Sequence, residues 1–298
     1  MKTNDLKFLD TNLARINKAI LLSLPPKNYS VISEAIHYSV MNGGKRIRPQ
    51  LILMMSEAIE ADVSNNTIDS IAAAGELIHC YSLIHDDLPA MDDDDYRRGK
   101  LSCHKKFDEA TAILAGDAIQ PLSLEILTTI EDIALTAETK LEIINLFSKA
   151  CGPQGMVEGQ NRDIRSENMK ITEQELDEIH YLKTGKLIEA CVICVCLLKK
   201  DLSKKHIKEF VQFSQKFGLA FQIRDDVLDI VGKETEIGKP LNSDIKKNKS
   251  TYPSILGLEQ SQKKAELLAT EAMKILSNLP YETSNLEKLC SLIVSRNK

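Results

Sequence analysis

Six aspartates crowd residues 79–99, HCYSLIHDDLPAMDDDDYRRG, and two arginines follow them at once. The acids continue an apolar run that belongs in a core, so a charge run merely facing water explains them poorly. In a regular helix Asp86 and Asp92 stand about 120° from superposition and share no face. Pro89 lacks a backbone donor and disfavours helix at the residue before it. The sequence therefore predicts a bulge near Leu88 to Ala90, which restores a four-residue spacing and leaves the two acids about 40° apart. A second cluster, FQIRDDVLD, sets Asp225 and Asp229 four apart on an apolar helix, hence on one face. Arg224 is its lone basic neighbour, and burying such carboxylates unpaired costs several kcal/mol each, which argues for cations between the clusters. An EF-hand is excluded, because counting from Asp92 puts Tyr96 and Arg97 where that loop needs a ligand and Gly. Few carboxylates facing an open space suit Mg²⁺, which keeps waters and shares coordination with substrate phosphates.

A separate basic set implies a second anion. NGGKRIRPQ packs Lys45, Arg46 and Arg48 against Gly43-Gly44 and closes with Pro49. The glycines allow unusual backbone angles, and the basic side chains can grip phosphate oxygens. Arg97, Arg98, Lys183, Lys239 and Lys249 are further cations. Neither a P-loop nor a GxGxxG sequence occurs, so nucleotide binding by those routes is unsupported.

The elements that must position these residues read as helices. Leu6, Leu9, Leu13, Ile16 and Ile20 recur at helical spacing near the start, as do Leu286, Leu289 and Ile293 near the end. Pro25-Pro26, Gly43-Gly44, Gly152-Pro153, the stretch from Gly232 to Pro240, and Pro280 cut the pattern into helices of one to two dozen residues. The expectation is an all-α fold, a single large bundle of about ten or more helices with no sheet, forming one domain over residues 1–298.

Composition removes other classes. The 38 basic and 43 acidic residues give a net charge of −5, too balanced for a generic nucleic-acid binder. The opening MKTNDLKFLD lacks the ~7–15-residue apolar stretch of a secretion signal. The apolar run Leu187 to Leu198 is interrupted by Glu189 and falls short of the ~20 residues that cross a bilayer, so no stable membrane insertion is expected. Seven cysteines, three of them in that run, have no zinc-ligand spacing and read as reduced core thiols of a cytoplasmic protein.

GGKRIRP, HCYSLIHDDLPAMDDDDYRRG, CHKKFDEATAILAGDA, GMVEGQ, LKTGKLIEA, FQIRDDVLDIVG and KSTYP occur in that order. Over essentially its whole length the chain thereby resembles the short-chain trans-isoprenyl diphosphate synthases, closest to the bacterial-type farnesyl diphosphate synthases. The resemblance implies an all-helical fold around a large central cavity, usually a homodimer, with both Asp motifs facing across the cavity mouth. It implies three Mg²⁺, with Mn²⁺ an admissible substitute. Asp86 and Asp92, with Asp87 alongside, match the first motif; Asp225 and Asp229, with Asp226 adjacent, match the second. Asp86, Asp92, Asp225 and Asp229 would hold the metal. Lys45, Arg48, His79 and Arg98 match positions that hold isopentenyl diphosphate. Arg97, Lys183, Thr184, Gln222 and Lys239 match positions around the allylic substrate, and Lys249 is a further diphosphate ligand. Departures from the family pattern are Leu101-Ser102, Glu158, Lys186 and Asn248, none of which removes a ligand.

The implied reaction is head-to-tail condensation of dimethylallyl or geranyl diphosphate with isopentenyl diphosphate. The metal neutralises the departing diphosphate, the double bond attacks the allylic cation, and released pyrophosphate takes the proton, so no protein nucleophile is needed. Thr184 and Gln222 are candidate dipoles facing the cation. Tyr81 lies five residues before Asp86 and Ser82 four, so Tyr81 sits just over one turn deeper and can floor the cavity. In the family an aromatic there accompanies C15 products; geranylgeranyl or geranyl diphosphate synthesis is the alternative, and a non-catalytic subunit of a heteromeric synthase a more distant one.

Overall fold

A computed structural model describes residues 7–232 and 249–295. The chain divides into two compact units, Met1–Ser56 with Asp62–Ile144, and Glu57–Ala61 with Asn145–Lys298. Lys239 and Asn248 lie outside the described residues.

The first unit is built from α1 (Lys7–Ser23), α2 (Val31–Val40), α3 (Ile47–Ala58), α4 (Asn65–Asp86), a short hairpin of β1 (Tyr96–Arg97) and β2 (Lys100–Leu101), α5 (Cys103–Lys106), α6 (Glu109–Thr128) and the start of α7 (Ala137–Cys151). Helix α4 is its axis. Ser64 caps it by accepting from the Thr67 amide, and Ile68, Ile71, Leu77, Ile78 and Ile84 are buried along it. Burial nearly all round marks a core helix rather than a surface one. Helices α1 and α6 pack on α4. On α6 the small residues Ala112, Ala115 and Gly116 face inward, and the His85 ring of α4 occupies the place a Cβ on Gly116 would fill.

The sheet-free expectation fails at the hairpin, where Tyr96 pairs with Leu101 and Arg97 with Lys100, antiparallel. Its turn residues Arg98 and Gly99 both have positive φ, +54° and +76°, which is what a two-residue hairpin turn of matching twist requires. Helix α6 is long and apolar enough to cross a bilayer by length and composition alone, as the core helix of a soluble protein can also be. Its inward stripe is nonetheless buried within the unit.

The second unit holds α8 (Met156–Arg165), α9 (Glu173–His180), a π-helical turn (Tyr181–Gly185), α10 (Lys186–Cys196), α11 (Lys204–Val231), α12 (Tyr252–Leu256), α13 (Leu258–Ser277) and α14 (Ser284–Ser295). Helix α11 buries Phe210, Phe213, Phe217, Ala220, Ile223 and Val227 and packs on α13 and α10. Each such ring or branched side chain contributes roughly 1.5–3 kcal/mol on leaving water, enough to fix the helix that carries Asp225 and Asp229. The apolar run expected to be core is α10, with Cys191, Cys194 and Cys196 buried; all seven cysteines are free.

Candidate active site

In the first unit α4 carries His79, Tyr81, Ser82, His85 and Asp86, and it stops at Asp86. This corrects the expected bulge in a continuing helix. The Leu88 carbonyl accepts from both the Met91 and Asp93 amides, at 2.9 and 3.0 Å, and the Asp92 amide donates to the Asp86 carbonyl at 2.8 Å. Pro89, unable to donate, turns the chain outward, and the loop returns to bring Asp92 against the helix end. Asp86 and Asp92 are both half-buried. The two predicted ligands are thus brought together, by backbone closure rather than by helical register.

Asp87 behaves differently. Its side chain is 3% exposed, and Arg97 grips it through Nε at 3.0 and 3.3 Å and through Nη2; Nη2 also donates to Asp94 at 3.3 Å. Burial pushes the Asp87 carboxyl upward, and the Arg97 charge opposes that shift. The Asn42 side chain donates to the Arg97 carbonyl at 2.9 Å, fixing the strand that bears it. Asp87 therefore anchors Arg97.

The basic set assembles around the glycine pair. Arg98 Nη1 donates to the Gly43 carbonyl, and the guanidinium fills the space above Gly44 that any side chain would need. Gly43 and Gly44 have φ of +82° and +113°, so the turn also needs glycine for its backbone. Lys45 is exposed and Arg48 buried. Burial first, then the charges of Arg48, Arg98, Arg97 and Arg46, push the His79 imidazole well below its ordinary value, which places it as a neutral group in a cationic nest. Arg46 is the exception to the sequence reading. It turns inward to Glu76 at 2.8 Å, with both side chains 1% exposed, and donates to the Val40 carbonyl at 2.6 Å, so it grips protein rather than phosphate. Tyr81 is 5% exposed and meets the His85 ring edge-on at 6.0 Å.

In the second unit the π-helical turn presents Lys183 and Thr184. Helix α8 backs directly onto it, because a Cβ on Gly159 would overlap the Lys183 backbone. Lys183 Nζ lies 2.7 Å and Lys249 Nζ 3.5 Å from the same oxygen of Asp163. Burial would raise the Asp163 carboxyl, but the two lysines outweigh it and hold it at about 2. Thr184 Oγ1 donates to Gln222 Oε1 at 3.0 Å, joining two residues the sequence proposed separately. On α11, Asp225 is exposed and Asp229 buried. Asp226 accepts from the Tyr252 amide at 3.1 Å and from Gln222 at 3.3 Å, with His180 Nε2 3.4 Å away, so it ties α12 and α9 to α11.

Sequence reasoning missed Asp163, His180 and Tyr252. Asp163 stands between Arg162 and Arg165, where an acid reads as one more solvated pair; its only signal was the four-residue step from Gly159. Two departures prove local. Glu158 is half-exposed and bonds Arg162 at 2.8 Å, and the Lys186 ammonium sits 4.9 Å from the Tyr181 ring centre.

A polyprenyl synthetase family model matches residues 29–292. The chain belongs to the polyprenyl synthetase family. A farnesyl diphosphate synthase from Micrococcus luteus is 45% identical over 283 residues, 95% of each chain. The crystal structure of a geranyltransferase from Legionella pneumophila superposes with a TM-score of 0.85 at 36% identity, covering 98% of this chain and 97% of that one. A geranyltransferase from Helicobacter pylori, complexed with magnesium and isoprenyl diphosphate, gives 0.84 at 31% identity, covering 99% and 97%. The family's all-α isoprenoid synthase fold is the fold of this chain.

Proposed function

We propose that the chain is a farnesyl diphosphate synthase, a prenyltransferase that joins isopentenyl diphosphate to dimethylallyl and then geranyl diphosphate. One observation carries the reading. Asp86 and Asp92, closed on one another through the backbone, and a glycine-cradled cationic nest occur on the same unit, which supports a metal-binding group and a separate anion-binding group. The relatives carry prenyl diphosphates in their names, one a farnesyl diphosphate synthase and another a geranyltransferase complexed with magnesium and isoprenyl diphosphate.

The donor set fits Mg²⁺. Asp86 at the end of α4 with Asp92 in the loop after it, and Asp225 four residues from Asp229 on α11, are hard oxygen donors of the kind Mg²⁺ shares with water and phosphate. We assign three ions, with Mn²⁺ a substitute. Bound metal would neutralise charge on the leaving diphosphate. Lys45, Arg48 and Arg98 would bind the isopentenyl diphosphate, with neutral His79 donating beside them. Arg97, Lys183, Lys249 and Lys239 would bind the allylic diphosphate. Thr184 spends its proton on Gln222, so its oxygen lone pairs remain to face an allylic cation. Tyr81 and Ser82 would limit growth to C15.

We further infer that residues 1–298 work as one domain, supported by a family match that runs through both units. We infer a homodimer, supported by the exposed Ile113 and Leu114 of α6, and a cytoplasmic location, supported by seven free cysteines. The test is pyrophosphate release from geranyl and isopentenyl diphosphates with and without Mg²⁺, with chromatographic sizing of the lipid. A C15 product made only with metal, and lost in Asp86→Asn and Asp225→Asn, is the expected result. Wild-type turnover in both variants would remove the assignment.

A further inference from the structure

We propose that Asp93, Asp95 and His104 form a second divalent-cation site, apart from the Mg²⁺ ligands, that takes a borderline first-row ion such as Co²⁺ or Zn²⁺. One ligand atom from each of these residues lies within 4.8 Å of the others, the spacing of groups that share an ion. Neither Asp86 nor Asp92 belongs to this triad.

The histidine points to a ligand independently of the acids. Its side chain sits in a residue only 7% exposed, yet Nε2 is buried with no partner among the described residues. A buried ring nitrogen left unmatched is costly, and native structures leave few of them. The other nitrogen, Nδ1, is 3.1 Å from Ser102 Oγ. One nitrogen held by a neighbouring polar group and the other left unmatched is the state in which an imidazole can take an ion. Ser102 is itself fixed, since its amide donates to the Asp95 carbonyl at 2.9 Å.

The donor set selects the ion. A nitrogen with two carboxylates suits first-row transition metals, whereas Mg²⁺ prefers oxygen and octahedral water. Lys105 lies 2.9 Å from one oxygen of Asp95, and both side chains are exposed. Such a surface pair is weak, so an entering dication displaces the ammonium readily.

The location gives the site a consequence. Asp95 precedes β1 and His104 follows β2, so an ion bridging them closes the base of the hairpin that carries Arg97 and Arg98. Metal at this site would brace two diphosphate-binding arginines without touching substrate.

The experiment is equilibrium dialysis of the full chain against Co²⁺ under a large excess of Mg²⁺, with bound metal counted and the Co²⁺ absorption spectrum recorded. An Asp86→Asn/Asp225→Asn background weakens the oxygen-only site by one ligand from each Asp motif. The expected result is one Co²⁺ per chain in both backgrounds, with affinity at least tenfold weaker in His104→Gln and in Asp93→Asn. Asp93 is exposed, so that variant folds even where loss of the buried histidine does not. Hydrogen exchange of residues 96–101 should slow when Co²⁺ is added. The proposal is overturned by no Co²⁺ retained above Mg²⁺, by equal binding in wild type and Asp93→Asn, or by a thiolate charge-transfer band showing that cysteines hold the ion.

Discussion

The Asp92 amide donates to the Asp86 carbonyl at 2.8 Å, so the two acids that bracket the first motif are fixed to one another through the backbone. Groups held in one closed loop act as a unit, and removing either removes the function of both. Asp86→Asn and Asp92→Asn should each lower Mg²⁺-dependent turnover by about 10²-fold, the scale of losing one electrostatic contact to a transition state. The double variant should be little slower than either single one. Steady-state kinetics across Mg²⁺ concentration checks this, and a fully multiplicative double loss would mean that the acids serve separate ions.

The Arg46–Glu76 pair gives a stability prediction. Both side chains are out of water, and removing one partner leaves an uncompensated charge, at about 3–5 kcal/mol. Glu76→Ala should lose that much in denaturant unfolding, whereas Arg46→Met/Glu76→Leu should recover most of it. A double variant as unstable as the single would show that the strained Arg46 backbone, φ +50°, carries the cost instead.

Where the signal is periodic, the sequence was legible. Ile16 and Ile20, and at the far end Leu286, Leu289 and Ile293, are buried on α1 and α14, and the helices break at the Gly and Pro pairs. Asp225 and Asp229 lie on one continuous helix, as their spacing requires. What was not legible depends on tertiary closure. Asp92 reaches Asp86 through a loop whose bonds no periodicity encodes. Arg46 faces Glu76 because of a positive φ that sequence does not announce. The RRGK turn hid a hairpin only two residues long, too short for alternation to register. Asp163 shows the same limit, since only the folded unit brings Lys183 and Lys249 to it.

Asp163 sets an acid limit on the second unit. Its carboxyl is held at about 2 in the folded chain against an ordinary 3.8. A depressed folded value means stability that is present above the unfolded value and lost as pH falls through the folded one. Between pH 4 and pH 2 the wild type should therefore lose roughly 2 kcal/mol that this group supplies at neutral pH. Asp163→Asn should start less stable and show a shallower slope over the same window. Identical slopes in urea unfolding at stepped pH would take the coupling away from Asp163.

The exposed apolar face of α6 predicts the assembly. Ile113 and Leu114 are 44% and 53% exposed on a helix whose opposite stripe is buried, an arrangement that suits a second copy of the chain. Ile113→Asp/Leu114→Asp should elute at the mass of one chain in size-exclusion chromatography with light scattering, while the parent elutes at twice that. A parent that runs as a monomer at micromolar concentration would end the homodimer reading.

Tyr81 sets the last prediction, product length. It stands on α4 one turn and a residue before Asp86, buried, with its ring edge-on to His85, and His85 in turn is pinned over Gly116. The phenol is thus braced on its Asp86 side by a ring that cannot retreat into α6. Removing it opens space along α4 while leaving the Asp86–Asp92 closure intact, so the chemistry should survive and the stopping point should move. Tyr81→Ala should make products longer than C15 from geranyl and isopentenyl diphosphates, and a Phe at this position should restore C15. The truncation leaves a cavity costing about 3–5 kcal/mol, so thermal unfolding must accompany the product analysis. A folded Tyr81→Ala protein that still stops at C15 would move the floor to another residue.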